Sequence, residues 1–503
     1  MASPSGRGTY RSPVITYRPV SKHSPCNRPR TASIHILDND SLLNVFYLYR
    51  PFLLGEDQDE KTHLSGGKRG WVRGRWWYKL AHVCQRWRNV ILGSTSYLEL
   101  SLVCTYGTPV ADMLAFSPPF PLVVDYSKIG RNITTDDEEG IILALKQRDR
   151  VLRVRLNTHV NLQKFIATMD EEYPILEHLV IELPIKDNSM ILTFPGSLQA
   201  SNLRHLRLQG FALPIGSQLL TTAVGLVTLS LMMVHPSTYF HPNTLLQWIS
   251  LMPQLKMLAV DFEFSVPNSD VERQPTPAPI IAPAVTLPDL RYFEFHGVSI
   301  YLEALVHRIT SPRLKELKID FFNQLTFSVP RLLRFMIIIP NFTFNSTALT
   351  FSDKKVNAVV YPRGEKEIVL GIVVRSWHFD WRVSSMAQIS NSLGQMLSAV
   401  EHLTLQHRVH HDNQPSEEQN EVDRTEWRRL LRPFSNAKTL QIDEGLVRDI
   451  SRCLQLEDGE LPLELLPELL TLGYFGSGHT DDAFTSFVDA RQNAGRPVTL
   501  LHG

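Results

Sequence analysis

The stretch SNLRHLRLQ, residues 201–209, sets leucines at 203, 206 and 208 in an LxxLxL pattern, and the fold turns on how it is read. Alternation over the last two leucines is the period of a half-buried strand. A lone copy means little, because any strand with one buried face can show it. The pattern recurs in order, however, as YPILEHLVIE (173–182), VGLVTLSLM (224–232), PQLKMLAVD (253–261), PDLRYFEFH (288–296), PRLKELKID (312–320), SAVEHLTLQ (398–406), NAKTLQIDE (436–444) and LPELLTLGY (466–474). VLRVRLN (151–157) reads as an earlier copy. From Leu176 to Leu314 successive copies start 27, 23, 29, 35 and 24 residues apart. Units of that length are a short strand plus a return segment, and each buries its faces only by stacking on its neighbours.

The expected fold class is therefore α/β. A small N-terminal helical module, residues 34–93, precedes an irregular leucine-rich-repeat-like solenoid of short parallel strands and helices over 94–503. Return segments carry helical faces, such as Leu302, Leu305, Val306 and Ile309, or Ile389, Leu393, Met396 and Val400. Phe211, Val234, Val298 and Phe322 stand where regular repeats place Asn or Cys, so apolar packing must hold the turns. A Pro-rich excursion over 265–288 accounts for the long interval, and 410–426 is a polar loop. Repeat character weakens between about 325 and 399, where VNAVVY is the candidate for a disguised strand. At the end, Asp481 or Asp482 caps a helix carrying Ala483, Phe484, Phe487 and Val488, Gly495 stops it, and VTLL makes a last strand. That ending is expected to cover the open end of the solenoid.

Composition narrows the function. Lys plus Arg and Asp plus Glu number 51 each, so no net charge draws the chain to nucleic acid or an anionic membrane. Apolar runs fall short of the roughly 20 residues that cross a bilayer. The cysteines, Cys26, Cys84, Cys104 and Cys453, show neither zinc spacing nor a disulfide framework, and the expected compartment is the cytoplasm or nucleus. Residues 1–33 hold six basic and no acidic residues but five prolines, which reads as a disordered basic tail.

The module at 34–93 begins with IHILDNDSLLNVFYLYRP. Asp38 and Asp40 are helix caps, Leu42, Val45, Phe46 and Tyr49 fall on one face, and Pro51 ends the run. A second helix, bent or broken, lies in RWWYKLAHVCQRWRNVILGS. Phe52 to Arg75 is an inserted loop; its Gly66-Gly67-Lys68 is no phosphate loop, since Arg69 follows where Ser or Thr belongs. So little apolar surface needs a partner or a neighbouring domain.

The pair ILDNDSLLNVFYLY and YKLAHVCQRWRNVI resembles the F-box. RWWYKLAHVCQRWR with CTYGTPVADML resembles more closely the F-box-like proteins abundant in mushroom-forming fungi. Leu37, Leu42, Leu43, Val45, Phe46, Leu80, Val83, Cys84 and Trp87 match motif positions, while Asp38 replaces the usual proline. The resemblance implies adaptor binding through these residues. The adaptor would be Skp-type, linking the chain through a cullin to an SCF ubiquitin ligase in which it is the substrate receptor.

No catalytic motif stands out, and the expectation is a non-enzyme without cofactor or metal. His407, His410, His411 and Asp412 have ligand-like spacing but lie in a polar stretch without thiolate support. Function must then reside in a surface. Residues flanking the inward apolar pairs should line a concave face that binds a protein target: Arg155, His205 and Arg207 among the early rungs, and Tyr292, Glu294, Lys318 and Asp320 among the late ones. Arg153, His178 and Glu182 belong to the same face, basic early and acidic late. The expected assembly is a monomer apart from the ligase complex. The alternative is a repeat scaffold that binds protein without any ligase role, its first helices serving as a cap.

Overall fold

The structure is a computed structural model, and it describes residues 37–49, 76–128, 131–158, 161–183, 192–214, 216–235, 239–262, 284–322, 324, 326–340, 342–364, 368–376, 378–408, 422–456, 461, 463–475 and 483–502. The basic tail, the inserted loop, most of the Pro-rich excursion and residues 410–421 of the polar loop lie outside them. The chain divides into two compact units, with the boundary between Glu99 and Leu100.

In the first unit, α1 (Asn39–Tyr49), α2 (Trp76–Ala81) and α3 (Gln85–Gly93) pack together. The Asp38 carboxylate accepts the Ser41 N–H at 2.6 Å and caps α1, which holds its pKa below the ordinary carboxylate value. The second sequence helix is broken: the chain leaves helix at His82, and the Cys84 Sγ accepts the Trp87 N–H to start α3.

In the second unit, sixteen strands among the described residues form one sheet. They are β1 (Leu102–Cys104), β2 (Leu122–Tyr126), β3 (Val151–Asn157), β4 (His178–Glu182), β5 (His205–Gln209), β6 (Thr228–Val234), β7 (Met257–Phe262), β8 (Tyr292–Gly297), β9 (Glu316–Phe321), β10 (Ser346–Ser352), β11 (Lys355–Tyr361), β12 (Leu370–Arg375), β13 (His402–Arg408), β14 (Thr439–Asp443), β15 (Thr471–Phe475) and β16 (Thr499–His502). Every LxxLxL copy supplies one parallel strand. Its first apolar residue, for instance Leu203, Leu226 or Leu255, is fully buried just before the strand. The entry is stitched the same way at each rung. One carbonyl accepts two N–H groups of the next rung: Glu177 from Arg204 and His205, Arg204 from Val227 and Thr228, Val227 from Lys256 and Met257. Glu401 and Lys438 do the same far along the chain.

Register then aligns the inward pairs into two apolar ladders. One runs Leu179–Leu206–Leu229–Leu258–Phe293–Leu317, the other Ile181–Leu208–Leu231–Val260–Phe295–Ile319. Where regular repeats carry Asn, buried Phe211, Val234 and Phe322 pack instead. Around them aromatic rings touch, as Phe262 does Tyr301 (4.9 Å) and Phe295 (6.2 Å). Gly297 permits this, because a Cβ there would lie 2.8 Å from the Phe295 ring and 3.0 Å from that of Phe262.

The irregular stretch holds a reversal. VNAVVY is a strand, as expected, but it lies in β11, the one antiparallel member among the described strands of the sheet. Spatial order is β9-β12-β11-β10-β13, with β12 parallel to β9 and β10 parallel to β13. A two-residue turn at Asp353-Lys354 reverses the chain. The 14-residue helix Phe379–Ser392, about 21 Å long, carries it back past β11 and β10 toward β13. Pleat alternation survives the reversal. Val360 continues the first ladder from Leu370 to Thr347 and Leu403, and Ala358 the second from Ile372 to Leu349 and Leu405.

Several local expectations change. Ile309 leaves the helix Ser299–Val306 and pairs Val285 in a small strand, and Val400 follows a separate short helix, Gly394–Leu397. The last residues of the polar loop begin the helix Arg424–Leu431, capped by Asp423. The helix Thr485–Asn493 does bury Phe484 and Phe487 and stop at Gly495 (φ 74°), yet it does not cover the array end. It is the crossover between β15 and β16, and β16 is the last strand of the sheet. Asp481 and Asp482 lie outside the described residues. Buried Arg491 holds this crossover by donating to the carbonyls of Leu466, Pro467 and Leu469. No described helix is long and apolar enough to cross a membrane.

Candidate functional site

The first unit sorts the motif residues into two sets. Leu42 (0% exposed) and Phe46 (1%) are interior, with Phe46 edge-on to the Trp87 ring at 4.9 Å. Expected as contacts for an adaptor, these two instead form the module's own core together with Trp77, Ala81 and Ile91, because a side chain with no accessible area cannot meet a partner. Leu37, Leu43, Leu80, Cys84 and Trp87 are half-buried, while Val45 and Val83 are exposed. Tyr49, expected on the inward face, is exposed as well. The residues missed are Tyr47 and Leu48, the latter 73% exposed, which with Val45 and Tyr49 make an apolar surface on α1. Arg86 fixes the start of α1 by donating to the Leu37 carbonyl (2.5 Å) and the Asn39 Oδ1 (3.1 Å).

In the second unit the expected face residues do share one side of the sheet. Register sets Arg155–Val180–Arg207–Ser230–Ala259–Glu294–Lys318 in one row. Arg153–His178–His205–Thr228–Met257–Tyr292–Glu316 makes the row beside it, and His296 and Asp320 pair in a third. The basic-to-acidic gradient is heavily cross-paired. Arg207 Nε lies 2.9 Å from Glu182, Lys318 Nζ 2.8 Å from Glu316, and Tyr292 donates to Glu294 at 2.6 Å. His296 Nδ1 meets Asp261 at 2.5 Å, and Arg375 grips Asp320 with two nitrogens. His178 and His205 stack with ring centroids 4.3 Å apart, and Lys318 sits over the Tyr292 ring. Burial, then Glu294, pushes the Tyr292 hydroxyl well above its ordinary pKa, so it acts as a fixed donor. In the middle, Ser230 (1%) and Ala259 (0%) are shut in although they lie on the open side. Local spacing carries no sign of these pairings, since Asp320 and Arg375 stand 55 residues apart.

Among the described residues no group of three or more His, Cys, Asp or Glu could hold a metal ion. His407 lies on β13 with its ring against Gly445, and burial, then Arg382, lowers its pKa; His410, His411 and Asp412 are outside the described residues.

No family model matches the chain, and no curated protein does. Among solved structures, the leucine-rich repeat-containing protein LegL7 from Legionella pneumophila aligns with 80% of this chain and 99% of its own, at 11% identity and a TM-score of 0.25. A likeness that slight adds nothing to the fold, which rests on the strand register and the repeated rung entry.

Proposed function

We propose that this protein is a non-catalytic receptor: the open face of the sheet holds a protein target, and the helical unit docks onto a Skp-type adaptor of an SCF ubiquitin ligase. The observation that carries the reading is the division of labour between the units. One is a long repeat sheet whose open side bears a patterned set of charges. The other is a three-helix module whose motif residues supply a core, Leu42 and Phe46, and whose α1 leaves Val45, Tyr47, Leu48 and Tyr49 outside. Apolar side chains left outside so small a module supply what a partner would bury, about 1.5–3 kcal/mol for each large one. The mechanism is proximity: a target held beside a charged conjugating enzyme reacts as if intramolecular, with no side chain of this chain entering the chemistry.

The test is co-purification with a Skp-type adaptor. Wild type should retain it, and a Leu48→Glu, Val83→Glu variant with unchanged circular dichroism should lose it. Phe46 and Trp87 are poor choices, since their removal would unfold the module. Absence of wild-type binding would leave only a repeat scaffold without a ligase role.

A further inference from the structure

The charges of the open face are mostly committed to one another, and an ion pair already made offers a partner little, because binding must first break it. Arg207, Lys318, Arg375 and His296 each sit on a carboxylate of the same face. Arg155 is different. It is half-buried on β3 and makes no ion pair among the described residues. Its cross-strand neighbour Asp125 accepts the Ser127 N–H and O–H at 3.2 and 2.7 Å and makes no ion pair with it. The neighbour on the other side, Val180, is apolar. A guanidinium held so, partly desolvated and unmatched, is stabilised by whatever carboxylate reaches it.

We propose that an extended acidic peptide segment of the target crosses β3–β5 and places a carboxylate on Arg155. Arg153, which lies 3.9 Å from Glu177, and the stacked His178 and His205 occupy the adjacent row, and burial of the centre at Ser230 and Ala259 leaves that end as the place to bind. A nucleic acid suits the patch less, because Asp125 and Glu182 lie within it and would repel a chain charged at every residue; spaced carboxylates can pass between them. The inference rests on the reading of the sheet as the target-binding part.

The test uses the full-length protein and a fluorescein-labelled decapeptide of alternating Glu and Ala, followed by anisotropy at low salt. A Lys/Ala peptide and a ten-residue oligothymidylate serve as comparisons. The Glu peptide should bind, and Arg155→Ala should weaken it at least about tenfold. Arg155→Lys should restore part of the affinity, and Arg375→Ala, which breaks a pair at the other end, should leave it unchanged. Thermal unfolding of each variant guards against a folding defect, with Arg155→Gln in reserve. The proposal is overturned if wild type ignores the Glu peptide, if folded Arg155→Ala or Arg155→Gln binds it equally well, or if the oligonucleotide binds more tightly. Adaptor co-purification on the same preparations separates the two claims. Lost adaptor with retained peptide sinks the ligase reading alone, and the reverse sinks this inference alone.

Discussion

The sheet has two open faces on either side of the reversed strand β11, and they differ while the core beneath them does not. Over β3–β9 the open side carries Arg155, Arg207, Glu294, Lys318 and Asp320. Over β13–β15 the corresponding positions are mostly uncharged, His402, Thr404, Gln406, Thr439, Gln441 and Thr471, with the Asp443 carboxylate accepting the His407 N–H. Yet Leu403, Leu440 and Leu472 stand in register as Leu206, Leu229 and Leu258 do, and all are buried. The ladders make a single sheet, and the open side is free to specialise, so the charged half is where a specific partner belongs.

That contrast can be broken most severely from inside. Phe295→Ala in the first half should cost about 3–5 kcal/mol and Leu440→Ala in the second about 2–5 kcal/mol, measured by urea unfolding. A cost under about 1 kcal/mol in either half would mean that the ladders are not the common foundation. Gly297→Ala should cost about 1–3 kcal/mol, since its new methyl meets the Phe295 and Phe262 rings; a stabilised variant would show that the aromatic cluster has room to spare.

Changes on the mostly uncharged open face should do far less. Thr404→Glu, on a half-buried but solvent-side position, should stay within about 0.5 kcal/mol of wild type. The smallest effect is one of pH. Burial and Arg382 hold the His407 imidazole below its ordinary value of 6.5, so the unfolded chain binds that proton more readily than the folded one. Stability should therefore fall as pH drops below that value, until the folded ring also protonates. His407→Gln should flatten the fall in a series of melts without abolishing it, because burial shifts His241 in the same direction.

The two halves also show what a sequence displays and what it hides. Nine LxxLxL copies were legible because each buries the same three positions. The reversal at β11 was not, because a two-residue period reads the same in either direction. EIVLGIVVR, which supplies the true parallel rung β12, lacks the introductory leucine that marks the others. Alternation sets the open-face residues on one side of the sheet, but which of them are spent depends on register and on long-range neighbours such as Arg375 for Asp320. In the first unit, spacing placed Val45 and Tyr49 with Leu42 and Phe46 on one inward face. The small module buries only the latter two, because three short helices have too little interior for four large side chains.

The repeat sheet should fold without the helical unit, and thermal unfolding of a fragment of residues 100–503 tests that most directly. The fragment should be soluble, melt cooperatively, no longer capture the adaptor and still bind the Glu/Ala peptide. An insoluble or non-cooperative fragment would contradict that expectation, making the helices a cap on the array rather than a dock.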